Sequence, residues 1–179
     1  GKTNLRLSVF SLGTMRYLAS AENAQQTVQQ ALARGINHIE TARGYGKSEE
    51  YFGEALKAEL SIPRSQFHIT TKIPPTADAD TMGRCINESL ERLNLDYLDC
   101  LGIHGLNTWE HLEWVKAKGG CMQAVQEAVA DGKVRHVGFS THGSLDIILA
   151  AINTGFFEFV NLHYYYFFQR NAAAIQLAS

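Results

Sequence analysis

Short apolar segments alternate with amphipathic segments along this chain of 179 residues, and this alternation constrains the fold more than any other feature. Apolar residues at three- and four-residue spacing predict helices, and short runs rich in β-branched and aromatic residues predict strands between them. Alternating strands and helices form right-handed βαβ units around a parallel sheet. The predicted helices cover 21–34, 48–60, 78–93, 121–131 and 144–154, and the predicted strands are RLSVFSLG, GINHIE, FHITTK, YLDCLGIH, KVRHVGFS and FFEFVNL.

Several of the predicted strands end in a residue with a reactive side chain, and these residues are regularly spaced. Glu40, Lys72 and His104 follow one another at 32 residues, and Ser140 comes 36 residues later. A (β/α)8 TIM barrel gathers the carboxyl ends of its strands, and its catalytic residues, around one mouth. A doubly wound open sheet is the competing architecture, but it favours a GxGxxG turn after its first strand, which this sequence lacks. We therefore predict an α/β fold of the (β/α)8 barrel type.

The predicted barrel is incomplete, because the sequence contains six strands where a closed barrel needs eight strands and about 250 residues. Six parallel strands leave two unpaired edges, which favour aggregation. We expect residues 1–179 to form a single barrel-like domain whose natural chain continues beyond Ser179. The segment 105–120 is longer than a tight loop, and it fits either a rim loop over the mouth or the first turns of a broken helix.

Composition argues against several classes of partner. The formal net charge is -2, so no excess of positive charge is available for nucleic acid or an anionic membrane. No apolar run is long enough to span a membrane, and the start of the chain lacks the apolar region of a signal peptide. The three cysteines, Cys85, Cys100 and Cys121, form no CxxC pair. We expect a cytoplasmic protein with a small-molecule substrate and no bound metal.

The stretch HIETARGYG, residues 38–46, closes an apolar strand with a carboxylate and places Tyr45 between two glycines. Lys72 and His104 end the next two strands, so all of these side chains are expected at one rim. An ammonium beside a phenol favours the phenolate and makes the phenol a better acid, and Glu40 would hold that ammonium. When a hydride reaches a carbonyl, a phenol and an imidazole N–H stabilise the developing alkoxide and supply the proton.

Each of these four residues also has a structural interpretation. Glu40 fits the N-cap of a segment that begins at Thr41, and Tyr45 fits an exposed aromatic residue of a surface turn. Lys72 fits a solvated strand end, and His104 fits a core histidine bound to backbone groups. Their joint occurrence at regularly spaced strand ends favours one shared site over four unrelated positions.

These residues resemble the aldo-keto reductase family, whose members are (β/α)8 barrels that use NADPH without a Rossmann domain. GINHIETARGYGKSEEYFGEAL resembles the family signature around its catalytic aspartate and tyrosine, HITTK resembles the strand of the lysine, and YLDCLGIH resembles the strand of the histidine. The resemblance extends from KTNLRLSVFSLGTM through KVRHVGFSTH to FVNLHYYYFFQRN. It implies a catalytic group of Glu40, Tyr45, Lys72 and His104.

The resemblance also implies the residues that contact the cofactor. Thr141 stands where the family has the asparagine of a Ser-Asn pair, and it keeps a hydroxyl but lacks the amide. Asn161 stands where the family has a glutamine that is one methylene longer, and His142 is a candidate substitute for the lost amide. The implied cofactor-binding residues are Gly13, Thr14, Met15, Ser140, Thr141 and Asn161.

The largest departure from the family is Glu40, which replaces an aspartate. Its additional methylene moves the carboxylate by about 1.5 Å when the side chain is extended, so contact with Lys72 requires a different rotamer. HIETARGYG is similar, in particular, to a subgroup with a carboxy-terminal iron-sulphur extension, but the sequence shows no cluster ligands and we infer no cluster.

The implied activity is transfer of a hydride from NADPH to an aldehyde or ketone, with Tyr45 as general acid and NADH as a possible replacement. Rim residues 15–18 and the region of Trp109 would select the substrate. Two alternatives stay open. One is a metal-dependent hydrolase that uses His38 and Glu40 together with His104 and His142. The other is a cofactor-binding barrel without turnover that serves as a regulatory subunit.

Overall fold

The computed structural model of the protein describes residues 2–16, 19–58 and 60–179. Its centre is a parallel sheet of six strands that lie side by side in chain order. Helices connect successive strands, so the architecture is a partial (β/α)8 barrel, and the predicted fold class is confirmed. The strands are β1 (Leu12–Gly13), β2 (His38–Glu40), β3 (His68–Ile73), β4 (Leu98–His104), β5 (Val134–Ser140) and β6 (Phe159–Asn161).

The helices pack on the outer face of this sheet. The first helix begins directly after its N-cap, Ser20, whose hydroxyl accepts a hydrogen bond of 3.0 Å from the backbone N–H of Asn23, as predicted. None of the helices formed by the described residues has the length and apolar character needed to traverse a bilayer. The helices are α1 (Ala21–Ala33), α2 (Ser48–Lys57), α3 (Ala79–Leu93), α4 (Trp109–Lys116), α5 (Cys121–Ala130), α6 (Leu145–Asn153) and α7 (Ala172–Ala178).

Alternation along the strands separates an apolar outer face from a polar inner face. Ile69 and Leu101 point outward and are fully buried among helix residues such as Phe52 and Ile86. The register of the sheet aligns Glu40 with Thr70 and Cys100, and it aligns Lys72 with Gly102 and Gly138. Partners in register share a face of a sheet, so these residues lie on the concave inner side.

The first predicted strand is largely wrong, because only Leu12–Gly13 of RLSVFSLG pairs with β2. The side chain of Asn37 binds the preceding segment instead. It accepts from the backbone N–H of Ser8 at 2.7 Å and donates to the carbonyl of Arg6 at 2.9 Å. These side-chain bonds satisfy backbone groups that a longer ladder would have used, and Val9 and Phe10 are left exposed.

Two helical predictions also change. Helix α2 ends at Lys57 because Ala58 adopts an extended conformation, and residue 59 of the predicted helix lies outside the described residues, as do residues 17 and 18 of the predicted rim segment. The segment 105–120 contains helix α4, which Thr108 caps, and a short break before α5. The broken-helix interpretation of this segment is therefore confirmed.

The close crossing of α2 and α3 predicts a large effect for Gly53→Ala. A Cβ at Gly53 would overlap the carbonyl oxygen of Arg92, whereas a Cβ at Gly83 on α3 would contact only the Ala124 Cβ at 3.8 Å. We expect Gly53→Ala to lower the free energy of unfolding by about 2 kcal/mol, and Gly83→Ala to raise it by up to about 1 kcal/mol. Urea denaturation measures both. Equal stability of the two variants would contradict this description of the crossing.

Candidate active site

Glu40, the last residue of β2, joins three parts of the site. One carboxylate oxygen, Oε1, forms an ion pair with the Lys72 ammonium. The other, Oε2, accepts a hydrogen bond of 2.8 Å from the side-chain amide of Asn161 on β6. Its backbone carbonyl accepts from the backbone N–H of Thr14 at 3.0 Å and from the Thr14 hydroxyl at 3.1 Å. Glu40 is not an N-cap, because the following helix begins only at Ser48.

Lys72 lies inside the barrel, and its side chain is only 4% exposed. The interpretation as a solvated strand end is therefore wrong. Gly102, its partner in register on β4, provides the space for the lysine, since a Cβ at Gly102 would lie 2.9 Å from the Lys72 Cγ. Our sequence reasoning missed Gly102. A glycine in the interior of a strand was the available signal, because it marks a close approach of another group.

Tyr45 belongs to the turn between β2 and α2, and backbone bonds hold this turn against the strand ends. Its N–H donates to the carbonyl of Ala42 at 3.0 Å, and the N–H of Arg43 donates to the carbonyl of Lys72 at 2.9 Å. The Lys72 Nζ lies 5.1 Å from the centroid of the Tyr45 ring. The structure thus brings the phenol beside the ammonium, although 27 residues separate them in the chain.

His104 ends β4 and completes the group. Its ring contacts the ring of Tyr45 edge to face, with centroids 5.5 Å apart and an interplanar angle of 87°. Burial lowers the pKa of the His104 imidazole, and the Lys72 ammonium lowers it further, while Glu40 acts in the opposite direction. The imidazole is therefore neutral at pH 7, a state in which one ring nitrogen donates a hydrogen bond.

A cavity of about 180 Å³ opens beside these four residues. Two histidines stand at its edge, since the rings of His142 and His163 meet with centroids 4.7 Å apart. Sequence reasoning did not identify His163, although it lies in the segment FVNLHYYYFFQRN, which resembles the family. The remaining lining residues come from the ends of β5 and β6, and they are Ser140, Thr141, His142, Asn161, Leu162 and His163.

The residues expected to contact a cofactor differ in what they offer to this cavity. Ser140 accepts from the backbone N–H of Gly105 at 3.2 Å and keeps its own hydroxyl hydrogen for another acceptor. The Thr141 hydroxyl is buried and donates to the carbonyl of Leu106 at 2.7 Å. Asn161 turns its amide nitrogen towards Glu40. The hydroxyl of Thr141, a residue that lines the cavity, is therefore already engaged by a backbone carbonyl.

The end of β1 supplies the other three expected contacts. Thr14 is fully buried, and the Ser48 hydroxyl donates to its oxygen at 2.6 Å while Thr14 itself binds Glu40. Its side chain thus fixes the strand end. Gly13 is the register partner of Glu40, and Met15 is 43% exposed. Gly13, Thr14 and Met15 are not among the residues that line the cavity beside Tyr45 and His104.

The metal-site alternative finds no support in the geometry. Both ring nitrogens of His38 have neighbours, because Nδ1 lies 2.7 Å from the Ser11 hydroxyl and Nε2 lies 2.8 Å from the Thr70 hydroxyl. Across the described ranges, no group of three or more His, Cys, Asp or Glu side chains is arranged to hold a metal ion. The two ring nitrogens of His38 are instead occupied by hydrogen bonds to the hydroxyls of Ser11 and Thr70.

The buried position of His38 predicts a loss of stability in acid. Burial is the largest cause that lowers the pKa of His38 below its ordinary value of 6.5, with contributions in the same direction from His68 and Lys72 and opposite ones from Glu40 and Asp99. The unfolded chain therefore binds this proton more readily than the fold does. Above pH 6.5, His38 is expected to be neutral in both states and to cost no stability. Below that pH, the free energy of unfolding is expected to decrease, because the unfolded chain takes up this proton first.

Urea denaturation of the parent and of His38→Gln at pH 8.0, about 6.5 and about 5.5 measures this loss. Glutamine retains a hydrogen-bond donor and acceptor but does not titrate in this range. The acid-side slope should be smaller in the variant. Parallel slopes in the two proteins would show that His38 does not contribute.

Comparison with known proteins gives one consistent result. The sequence profile of the Aldo/keto reductase family matches residues 10–175. L-galactose dehydrogenase of Arabidopsis thaliana is 32% identical over 152 residues, a match that covers 78% of this chain and 46% of the relative. The NAD/NADP-dependent indole-3-acetaldehyde reductase of Schizosaccharomyces pombe is 37% identical over 114 residues, with coverages of 64% and 38%.

A third relative from Schizosaccharomyces pombe bears a different kind of name. It is named as a voltage-gated potassium channel subunit beta, and it is 31% identical over 163 residues, which cover 82% of this chain and 45% of the relative. This chain therefore spans about half the length of the curated relatives that it matches.

Solved structures show the same fold. A Pseudomonas aeruginosa protein described as an aldo-keto reductase aligns with a TM-score of 0.84 over 99% of this chain and 72% of its own, at 22% identity. At that identity the likeness concerns the fold alone. An aldo-keto reductase of Bombyx mori in complex with NADP aligns with a TM-score of 0.66 at 26% identity, over 83% of this chain and 53% of its own.

Proposed function

Because this chain belongs to the aldo/keto reductase family, we propose that the protein containing it reduces an aldehyde or ketone to an alcohol, with a nicotinamide dinucleotide as hydride donor and Tyr45 as proton donor. The observation that supports this most directly is the convergence of Tyr45, Lys72 and His104 on one cavity. A small-molecule carbonyl compound is the proposed substrate class, and a single barrel domain over residues 1–179 and a cytoplasmic location stay predictions.

The residues beside the cavity fit the carboxamide of a nicotinamide. This group has one carbonyl acceptor and one NH₂ donor. The Ser140 hydroxyl has a hydrogen to donate, and Asn161, whose amide nitrogen faces Glu40, has its carbonyl oxygen for an incoming N–H. When bound, the reduced nicotinamide supplies the hydride. We propose NADPH as the cofactor, in line with the NADP bound in the Bombyx mori structure, and NADH as an alternative.

Tyr45 is the proposed general acid, and Lys72 makes this role feasible. After the phenol gives its proton to the carbonyl oxygen, a phenolate remains beside the ammonium, which stabilises the negative charge. Glu40 forms an ion pair with this ammonium, whose nitrogen lies 5.1 Å from the centroid of the Tyr45 ring. Because Lys72 is almost completely buried, little water screens this interaction.

His104 is the proposed second donor to the carbonyl oxygen. Its ring stands edge to face against Tyr45, so the phenol and the imidazole border the same part of the cavity. The lowered pKa keeps the ring neutral, and a neutral imidazole N–H polarises a carbonyl without competing for the proton that Tyr45 delivers. We assign His104 the orientation of the substrate carbonyl.

The proposal is tested by following NADPH absorbance at 340 nm after addition of 4-nitrobenzaldehyde to the purified protein. Steady, enzyme-dependent oxidation that stops when the aldehyde is omitted supports the proposal. The relative named as a channel subunit favours one competing function, a cofactor-binding regulatory barrel. Tight binding of NADPH without any oxidation by aldehydes or ketones would support that function and contradict a reductase.

A further inference from the structure

We propose that Asn161 is a positioning residue of the catalytic group, which holds the Glu40 carboxylate and, through it, the Lys72 ammonium. This inference rests on the proposed reductase function, and it gives Asn161 a role distinct from contact with the cofactor. The evidence is the bond of 2.8 Å from the Asn161 amide nitrogen to Glu40 Oε2, while Glu40 Oε1 pairs with Lys72. Each carboxylate oxygen thus has a partner of its own.

The second partner matters because a glutamate side chain is flexible. Three rotatable bonds separate the carboxylate of Glu40 from the backbone, and an ion pair with Lys72 alone permits several rotamers. Asn161 restricts these rotamers from the far end of the sheet, since β3, β4 and β5 lie between β2 and β6. The bond therefore crosses the concave face of the barrel, and it fixes the carboxylate from two directions.

The lengths of the two side chains are matched to this bond. An aspartate at position 40 would withdraw the carboxylate by about 1.5 Å, too far for a hydrogen bond to Asn161. A glutamine at position 161 would bring the amide forward by a similar length and would crowd the existing carboxylate. Glutamate with asparagine is thus one workable combination, and aspartate with glutamine is another.

The carboxylate also determines which way the amide faces. A carboxylate only accepts hydrogen bonds, so Asn161 must present its NH₂ to Glu40 and its carbonyl oxygen elsewhere. Asn161 also lines the cavity with Tyr45 and His104. The same amide therefore links the group that tunes the acid with the surface that receives the cofactor.

The experiment shortens the side chain at position 40 and lengthens the one at position 161. It compares the parent, Glu40→Asp, Asn161→Gln and the double variant. We expect each single change to lower kcat about tenfold, the effect of one hydrogen bond to a charged group. The double variant should recover to within about threefold of the parent. Losses that simply multiply in the double variant would overturn the proposal.

Asn161→Leu separates positioning from cofactor contact. We expect kcat, measured at saturating NADPH, to fall about tenfold, while loss of the proposed contact between the Asn161 carbonyl oxygen and the carboxamide separately weakens NADPH binding, measured by quenching of protein fluorescence. A residue that only binds the cofactor would weaken NADPH binding and leave kcat at saturation unchanged, a result that would overturn the proposal. Asn153→Leu, at an exposed position that ends α6, is the control for the substitution itself.

A measurement without substrate or cofactor keeps this test independent of the proposed function. In Asn161→Leu, the Lys72 amine should be acetylated by acetic anhydride about tenfold faster than in the parent, because a looser ion pair releases the amine more often. Peptide mass mapping gives the rate, and the exposed Lys57 serves as internal reference. Equal rates at Lys72 would overturn the proposal. Absence of NADPH oxidation in the parent would instead contradict the reductase function.

Discussion

Replacing Tyr45 by phenylalanine is expected to lower kcat for aldehyde reduction by about a thousandfold, the typical contribution of a positioned general acid. The change removes one hydroxyl and leaves the ring that contacts Lys72 and His104. The cavity should keep its shape, and the affinity for NADPH should stay within about twofold of the parent, because the proposed cofactor contacts come from other strands.

The measurement combines steady-state oxidation of NADPH with a fluorescence titration of the cofactor. Tyr51→Phe is the matched control, since it removes the same hydroxyl from α2, at a position that does not line the cavity. Only the Tyr45 variant should lose activity. Turnover at the parent rate in Tyr45→Phe would show that another group supplies the proton.

Sequence reasoning identified the four proposed catalytic residues because regularly spaced strand ends in the sequence lie close together in a parallel barrel. Strands that follow one another in the chain are neighbours in the sheet, so residues that close them are bound to meet at one edge. Glu40, Lys72 and His104 needed no knowledge of side-chain rotamers for this conclusion. The turn that carries Tyr45 starts from the same edge.

The contact between Glu40 and Asn161 illustrates what the sequence could not predict. The two residues are 121 positions apart, and their contact depends on the curvature of the sheet and on two rotamers. Gly102 was equally hard to recognise, because its importance comes from the Lys72 side chain on the neighbouring strand. Local patterns predict elements and strand ends, but contacts across the concave face depend on the assembled fold.

The direction of a threonine hydroxyl is a second feature that the sequence could not predict. Thr14 and Thr141 were expected to contact the cofactor, yet their hydroxyls bind the carbonyl oxygens of Glu40 and Leu106. A threonine at a strand end has backbone groups within reach, and such local bonds compete with a ligand. Thr141 lines the cavity and Thr14 does not, and the direction of each hydroxyl follows from the neighbouring backbone carbonyl.

Replacing Lys72 by methionine is expected to have the largest combined effect on activity and stability. Methionine is an unbranched side chain that fits the space beside Gly102, so little packing is lost. The Glu40 carboxylate, however, loses the charge that balances it and keeps only Asn161. Removal of one partner of a buried pair costs about 3 to 5 kcal/mol, and the 24% exposure of Glu40 reduces our expectation to about 2 kcal/mol.

Activity should fall at least a hundredfold in Lys72→Met, because the ammonium that stabilises the phenolate of Tyr45 is removed. Adding Glu40→Gln separates the two effects. Glutamine is nearly isosteric, removes the unbalanced charge and can still accept a hydrogen bond from Asn161 through its side-chain oxygen. The double variant should thus regain most of the lost free energy of unfolding, as measured by urea denaturation, but none of the lost turnover. A double variant no more stable than Lys72→Met would show that the loss came from packing, and recovered turnover would show that Tyr45 does not need the ammonium.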